Sequence, residues 1–554
     1  MDYGLRWDLQ NGWHELHSRS SSFAAGIENP SAGNLLGATA YEGYGQGRCQ
    51  CSFTRTYPYA VGPRIGVAYQ LDSKTVIRAG WGIVYGQTPI LNYFTTATVG
   101  VGFNTLNISN STGLFGDPAL YLKDGLQYNF SDLYAATYNP GVRPERGTIN
   151  SPPSYLSPQG GRPPRINQWN IAVQREILPN LSLEAAYVGN RAVWILANNT
   201  IEPNALSPQM VKARGFDITN PADQAILNGS WGSPAAAARG ITAPYAGYPT
   251  ALSAAQTLRP YPQFGNIGVQ WMDNGDSWYD SLQAKLTKRY SHGLQVVGSF
   301  TWQKETEYGI NVPNDVYNVA VNKTISAYSQ PLVLAVGFSY QTPAWHRNRF
   351  VSSLLRDWTL GGFFSYASGL PIQSPIGQNN LQLLLFQSNN TSINSGQNSS
   401  TSASGTFMNR VPGQSLFLKD LNCHCIDPNK DFVLNPAAWS NPAPGTFGSA
   451  AGYYNDYRYQ RHPAEQLGIG RLFKIREQMS LQLRIEFFNV FNRANMADPI
   501  SVNALATQTR SNGVPTAGFG YINSQSLGNG STLNNNTGLG GNPRQGQLLL
   551  RFQF

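Results

Sequence analysis

The 554-residue chain has little of what a soluble protein of its size carries. Charged residues make up 12 % of it, where a typical soluble protein has about 25 %. It has four Cys and six His. No apolar run approaches the roughly 18–20 residues of a membrane helix. The best candidates, LQLLLF at 381–386 and PLVLAVGFSY at 331–340, are too short. The opening MDYGLRWDLQ has neither the basic start nor the apolar core of a secretory leader. Nucleotide and hydrolase signatures are missing too: there is no H-E-x-x-H, P-loop or G-x-S-x-G elbow. These gaps argue against a helical membrane protein, a metalloprotease, an NTPase and a serine hydrolase.

Aromatics, by contrast, reach 12 %, and Gly (56) and Pro (35) supply many turns. The mean hydropathy is nevertheless −0.31. Many aromatics, few charges and no net hydrophobicity fit a membrane β-barrel, whose strands need apolar residues only at alternate positions. The net charge of +9 is spread over scattered Lys and Arg. That pattern fits solvated loops and a polar lumen, and no basic stripe suited to nucleic acid stands out.

Strands announce themselves by a period of two. In MSLQLRIEFFNV (479–490), Leu481, Leu483, Ile485 and Phe487 fall on one face and Gln482, Arg484 and Glu486 on the other. Such segments pair. IGVAYQL (65–71) meets TVIRAGWGIVY (75–85) through Asp72-Ser73-Lys74. QWNIAVQRE (168–176) meets LSLEAAYVGN (181–190) around Pro179-Asn180, and YDSLQAKLTKRY (279–290) meets LQVVGSFTW (294–302) through Ser291-His292-Gly293. EQLGIGRLFKI (465–475) meets the 479–490 segment through Arg476-Glu477-Gln478. LVLAVGFSY (332–340) and WTLGGFFSYASG (358–369) share a longer link with Pro343 and Trp345.

Between hairpins run long polar connections, near 11–62, 87–165, 191–264, 305–329, 370–463 and 491–545, which read as structureless. Low-complexity stretches at 387–406 and 526–542 and a Pro-rich run at 139–164 lie inside them. Short turns alternating with long loops is the pattern of bacterial outer-membrane barrels. With YGLRWDL (3–9) as first strand and QLLLRFQF (547–554) as last, the chain offers roughly 12 strands, and an even count returns the C-terminus to the short-turn side. The expected fold is all-β: an antiparallel transmembrane barrel with short periplasmic turns and long extracellular loops. In the last strand Leu548, Leu550, Phe552 and Phe554 share a face. A terminal amphipathic strand closing on Phe resembles the assembly signal of outer-membrane barrels.

Side chains that could carry chemistry have plainer readings. Cys49 with Cys51 and Cys423 with Cys425 form two C-x-C pairs, read as disulfides within or between the pairs. His424 could join a thiolate metal site, but C-x-C is not the usual zinc spacing. His14 and His17 flank Glu15 at helical spacing without further ligands. The glycines of GYGQGR (43–48) and LGIGR (467–471) lack a strand-turn-helix context for phosphate. Glu184 and Glu486 read as lumenal residues paired with Arg484 or Lys285. Trp81, Trp169, Trp302 and Trp358 read as interfacial girdle residues. Tyr453, Tyr454, Tyr457 and Tyr459 read as loop packing, with ligand stacking as the alternative. No metal, cofactor or catalytic set is assigned.

PRIGVAYQLDSKTVIRAGWGIVY (63–85), INQWNIAVQREILPNLSLEAAYVGNR (166–191), YDSLQAKLTKRYSHGLQVVGSFTW (279–302), WTLGGFFSYASGLPI (358–372) and LQLRIEFFNVFNRANM (481–496) resemble the Oar-like β-barrel domain of TonB-dependent receptors. The resemblance implies a cell outer-membrane protein of a Gram-negative bacterium, a receptor or transporter and not an enzyme. Its implied partners are outer-membrane lipid, the inner-membrane TonB complex reached through an N-terminal plug, the barrel-assembly machinery and an extracellular solute, with no nucleic acid. A complete barrel of this kind has about 22 strands. Residues 1–554 therefore read as the C-terminal part of one barrel domain, with plug and signal peptide absent. The alternative is a surface-exposed β-rich adhesin or carbohydrate-binding protein.

Overall fold

The computed structural model describes residues 1–12, 20–44, 48–92, 154–310, 314–343, 356–379, 406–476, 479–493, 496–522 and 544–554, with single positions between them. Twelve strands follow one another through a single antiparallel sheet. They are β1 (Asp2–Asp8), β2 (Ala60–Gln70), β3 (Thr75–Tyr85), β4 (Arg165–Leu178), β5 (Leu181–Ile195) and β6 (Gly275–Ser291), then β7 (Leu294–Tyr308), β8 (Leu332–Gln341), β9 (Trp358–Ala367), β10 (Ala464–Arg476), β11 (Met479–Phe488) and β12 (Gln545–Gln553). Each pairs with its sequence neighbour, and the short pair Thr324–Ile325 adds to β7 off this path. β1 and β12 are the two edges of the sheet.

The turns explain why the strands reverse where they do. Asp72 accepts from the Lys74 amide (2.7 Å) and the Thr75 hydroxyl (3.0 Å), so its side chain closes the β2–β3 turn. Asn180 and His292 take the left-handed backbone at the β4–β5 and β6–β7 turns, with φ of 65° and 53°, and Asp357 takes it at 62° just before β9. Gly293, next to His292, has a φ of 78°, and a Cβ there would run into the Gln341 carbonyl oxygen. Two of the 476–478 turn residues, Glu477 and Gln478, lie outside the described residues, as do Trp345, His14, His17 and the 526–542 stretch.

Register sorts the side chains into two faces. Ala79, Ile171, Tyr187, Leu282, Trp302 and Leu332 form one cross-strand row. Tyr340, Leu360, Ile469, Ile485 and Leu548 form another on the same face. The opposite face carries Gln174, Glu184, Lys285, Ser299, Ala335 and Ser365 in one row. A period of two along every strand thus gives one continuous apolar face and one polar face.

Three glycines on the apolar face lie under aromatic rings. A Cβ at Gly362 would stand 2.5 Å from Phe338 Cε1, at Gly189 2.7 Å from Trp169, and at Gly546 2.9 Å from Phe487. Each ring covers the backbone that a glycine leaves bare, which pins the register between the two strands.

The described parts of the long connections do not behave as their composition suggested, while nearly all of 93–153 and all of 386–405 lie outside the described residues. Residues 21–29 and 35–41 form a hairpin. The 191–264 connection holds helices α1 (Pro208–Ala213), α2 (Pro221–Asn228), α3 (Pro234–Ala238) and α4 (Ala254–Thr257). Leu206, Val211, Leu227, Leu384 and Leu385 make one buried core there. Ile372, Phe407, Val433, Leu434, Tyr457 and Phe519 make a second. The described loop residues are therefore a folded cap at one end of the sheet, because they contain enough apolar side chains to bury against one another.

Candidate functional site

Two regions have the geometry of a site: the polar face of the sheet and the cap above it. On the polar face, β8 to β11 frame a cavity of about 1030 Å³. Its floor includes Gly361, Gly468 and Gly470, and Gln341, Gln466, Gln482, Lys474, Arg484 and Glu486 stand around it. A smaller hollow of about 370 Å³ lies on the same face between Arg6, Arg64, Gly82 and Gln168. The polar face is therefore the concave one. Glycines keep its floor low and amide and charged side chains line it, an arrangement that can hold water and pass polar solutes.

Glu184 and Glu486 on this wall are each paired with a nearby arginine. Glu486 is bridged by Arg484 and also accepts from the Gln547 amide. Glu184 pairs with Arg78 at 3.5 Å, and Arg78 also donates to Gln174 at 2.6 Å. The expected Lys285 stands directly opposite Glu184 in register, yet the salt bridge runs to Arg78, two strands away on the other side. Where those side chains end is set by reach and not by register, which sequence spacing does not show.

The cap is held by buried polar clamps. Asn204 donates to the carbonyls of Tyr261, Phe264 and Gly265 at 2.8–3.1 Å. Arg259 is 5 % exposed and donates to Asn204 and Leu385 carbonyls, while its Nε has no partner. Burial lowers its pKa to about 10. Asn314 donates to the Gly448 and Ala450 carbonyls and accepts from Thr406 and Phe407. At the cap–sheet junction Glu465, with its side chain fully buried, takes Arg493 at 2.7 Å and the Tyr366 hydroxyl at 2.8 Å. Burial also raises the Asp498 carboxyl to about 6 and lowers His462 below the usual histidine range.

The residues singled out from sequence do not converge on one site. Leu548, Leu550 and Phe552 lie on the apolar face, and Phe554, 93 % exposed, stacks with Phe552. Cys49 is bonded to Cys51, and Cys423 to Cys425, in separate parts of the cap. His424 lies between the latter two with a φ of 52°. Tyr457 is buried in the second core against Phe417 and Trp439, and Tyr454 and Tyr459 pack on that core. Burial against carbon places this cluster as packing. Trp358 opens β9, whereas Trp81 and Trp169 face each other within their strands and Trp302 lies on the apolar face. Among the described residues no group of three His, Cys, Asp or Glu is placed to hold a metal.

Sequence reading missed the four cap helices and the clamps. The helices had a signal: Ser207-Pro208, Asn220-Pro221 and Ser233-Pro234 each put a capping side chain before a proline at the first helical position. The clamps had none, because their partners are distant in sequence.

The model of the outer membrane beta barrel domain family matches residues 1–547. No curated protein matches the chain. Among solved structures, Pseudomonas aeruginosa FpvA bound to a heterologous pyoverdine is 10 % identical with a TM-score of 0.33, covering 94 % of this chain and 35 % of that one. BauA, the ferric preacinetobactin receptor of Acinetobacter baumannii, is 7 % identical with a TM-score of 0.33 (94 % and 39 %). The outer membrane transporter YddB of Escherichia coli is 9 % identical with a TM-score of 0.33 (88 % and 41 %). The chain thus spans well under half the length of each of these proteins.

Proposed function

The chain belongs to the outer membrane beta barrel domain family, and from that premise we propose that it is the C-terminal part of the barrel of a TonB-dependent receptor that takes up a solute. It resides in the outer membrane of a Gram-negative bacterium. In this reading the cap end of the sheet is extracellular and the short turns are periplasmic. The twelve strands are part of a barrel of about 22. Solute binds among the cap loops and passes along the polar wall, while a plug upstream of this segment contacts the TonB complex. The protein positions and passes its ligand without changing it covalently. Leu548, Leu550, Phe552 and Phe554 form the strand presented to the barrel-assembly machinery.

The observation that carries the reading is the continuous apolar face across twelve antiparallel strands, backed by a polar concave wall. Soluble proteins rarely expose an apolar patch above a few hundred Å². Here Leu5, Trp302 and Leu550 stand 73 %, 60 % and 66 % exposed on that face. A soluble adhesin would have to leave these residues in water. The sheet edges at β1 and β12 also need neighbours in hydrocarbon, where open edges are not tolerated. Purification from the source outer membrane with intact mass and N-terminal sequencing tests the reading. A mature chain carrying a globular segment ahead of Met1 is expected. A mature chain that begins at Met1 and inserts by itself would overturn the plug and TonB part.

A further inference from the structure

The polar face of β7 ends, toward the cap, in two acids. Ser299, Thr301, Gln303, Glu305 and Glu307 follow one another along it. Glu307 is 4 % exposed, and its Oε1 has no hydrogen-bond partner. Among the described residues, neither Glu305 nor Glu307 forms a salt bridge. The Ser326 hydroxyl, itself buried, reaches both carboxyl groups.

Glu307 lines a cavity of about 10 Å³, room for one water-sized occupant. Asn314, Asn322, Thr324, Phe407 and Gly452 are among its other walls, and no Lys, Arg or His is. Three loop segments meet there. Asn314 donates to the Gly448 and Ala450 carbonyls and accepts from Thr406 and Phe407, so its amide is spent. Thr324 pairs with Glu307 in register and exchanges hydrogen bonds with the Tyr453 backbone at 3.0 and 3.2 Å. A carboxylate buried without a counter-charge is costly unless it gains a proton or a cation. Two residues apart on one strand face, the acids stand about 7 Å from each other at Cα, close enough to converge on one ion.

We propose that Glu305, Glu307 and the Ser326 hydroxyl hold one calcium ion in this cavity, and that the ion locks the three loop segments onto the end of β7. The donors are all oxygen, which suits a hard cation and not zinc or copper. Two carboxylates binding through both oxygens, with one hydroxyl, come close to the roughly 6–8 oxygens that calcium takes in an irregular shell. Magnesium demands a near-ideal octahedron and keeps several waters, for which the cavity has no room. The inference concerns how the cap is held and stands apart from the uptake reading. A second acidic pair in the cap, Asp427 and Asp431, is already taken by Lys430 and Lys419 at 3.1 and 2.8 Å, and serves as the control.

The test uses the full chain folded in phosphatidylcholine vesicles, stripped with EDTA and dialysed against radioactive calcium. Saturable binding with a Kd at or below about 1 mM, the range of extracellular calcium modules, is expected. Affinity follows the charge of the ligands, so E307Q and E305Q should each lower it about tenfold or more. D427N/D431N should leave it unchanged, and equal magnesium should not compete. At calcium about a hundred times Kd, hydrogen exchange at 314–326 and 448–453 should slow about a hundredfold in the wild type and stay fast in E307Q. The wild-type calcium response reads the site even if a variant folds poorly, and heat-modifiable gel mobility reports insertion separately. Absence of saturable binding, full binding by E307Q, or a loss confined to D427N/D431N would overturn the site. Exchange at 314–326 that ignores calcium would overturn the lock. A chain that inserts and binds no calcium defeats this inference and leaves the barrel reading standing.

Discussion

Ile485→Arg against Arg484→Ala is the sharpest perturbation of the two-faced sheet, because the two residues are neighbours in sequence and opposite in environment. Ile485 lies between Ile469 of β10 and Leu548 of β12 on the apolar face. β11 has 10 residues, so at about 3.3 Å per residue and a tilt near 40° it rises about 25 Å, the height of a barrel's apolar band. Ile485 then sits about 4 Å from mid-height by the same spacing. An arginine at the midplane of a barrel costs about 2–4 kcal/mol, and this position belongs near the upper part of that range. Such a loss lowers the folding equilibrium constant by about 30- to 700-fold. Arg484 faces the cavity and is half exposed, bridged to Glu486 on its own strand. Its removal leaves Glu486 with the Gln547 amide and open lumen, so the cost should stay under about 1 kcal/mol. Urea-induced unfolding from phosphocholine vesicles, followed by tryptophan fluorescence and gel mobility, measures both. Small and equal effects would refute the assignment of Ile485 to lipid, and a large Arg484 effect would refute the wet lumen.

Gly362→Ala places a methyl 2.5 Å from Phe338 Cε1, and the strain should cost about 1–3 kcal/mol. Adding Phe338→Ala should recover part of that cost, and simple additivity in the same unfolding assay would count against ring-over-glycine packing. Arg493→Ala leaves the buried Glu465 carboxylate with only Tyr366, and the local loss should be about 3–5 kcal/mol. Hydrogen exchange at 464–466 and 489–493 reads it, with Arg410→Ala, whose bridge to Asp456 is exposed, as a control expected below about 1 kcal/mol. Asp498 holds its proton to about pH 6 in the folded cap, against about 3.9 when unfolded. Its folded pKa is the higher one, so cap stability is full below about pH 4 and falls as pH rises through 6, by about 1–3 kcal/mol. Exchange around 496–501, corrected for its intrinsic pH dependence, should show that slope, and Asp498→Asn should remove it. An unchanged slope would show that another group titrates.

How much could be read from the sequence divides along a physical line. Strand pairs were legible where two local signals coincided. In 65–85 the alternation and Asp72 each specify the same reversal, and the structure pairs Ile77 with Tyr69 accordingly. The 168–190 and 279–302 hairpins were legible for the same reason, since Asn180 and Gly293 accept positive φ at little cost. The cap was illegible because its order is non-local. α2 has 8 residues, too few for a helical period to stand out, and Leu206 meets Leu385 only after the chain has made four more strands. Glycine, asparagine and proline marked these stretches as loops, which is correct for the backbone, yet composition does not say whether a loop folds on other loops.

That division has a functional consequence. The sheet's two faces are fixed by solvent: lipid outside demands apolar alternation, and a wet lumen permits Glu184, Lys285 and Arg484. These constraints are common to barrels and leave a strong local imprint in sequence. Selectivity for a solute is under no such uniform constraint. In the proposed uptake reading it would depend on the loop side chains of the cap, whose backbone is held by clamps such as Asn314 and Arg259. The clamps bind backbone carbonyls, so side chains around them can change without loosening the cap. If the chain takes up a solute as proposed, a cap built this way separates its stability from its choice of ligand.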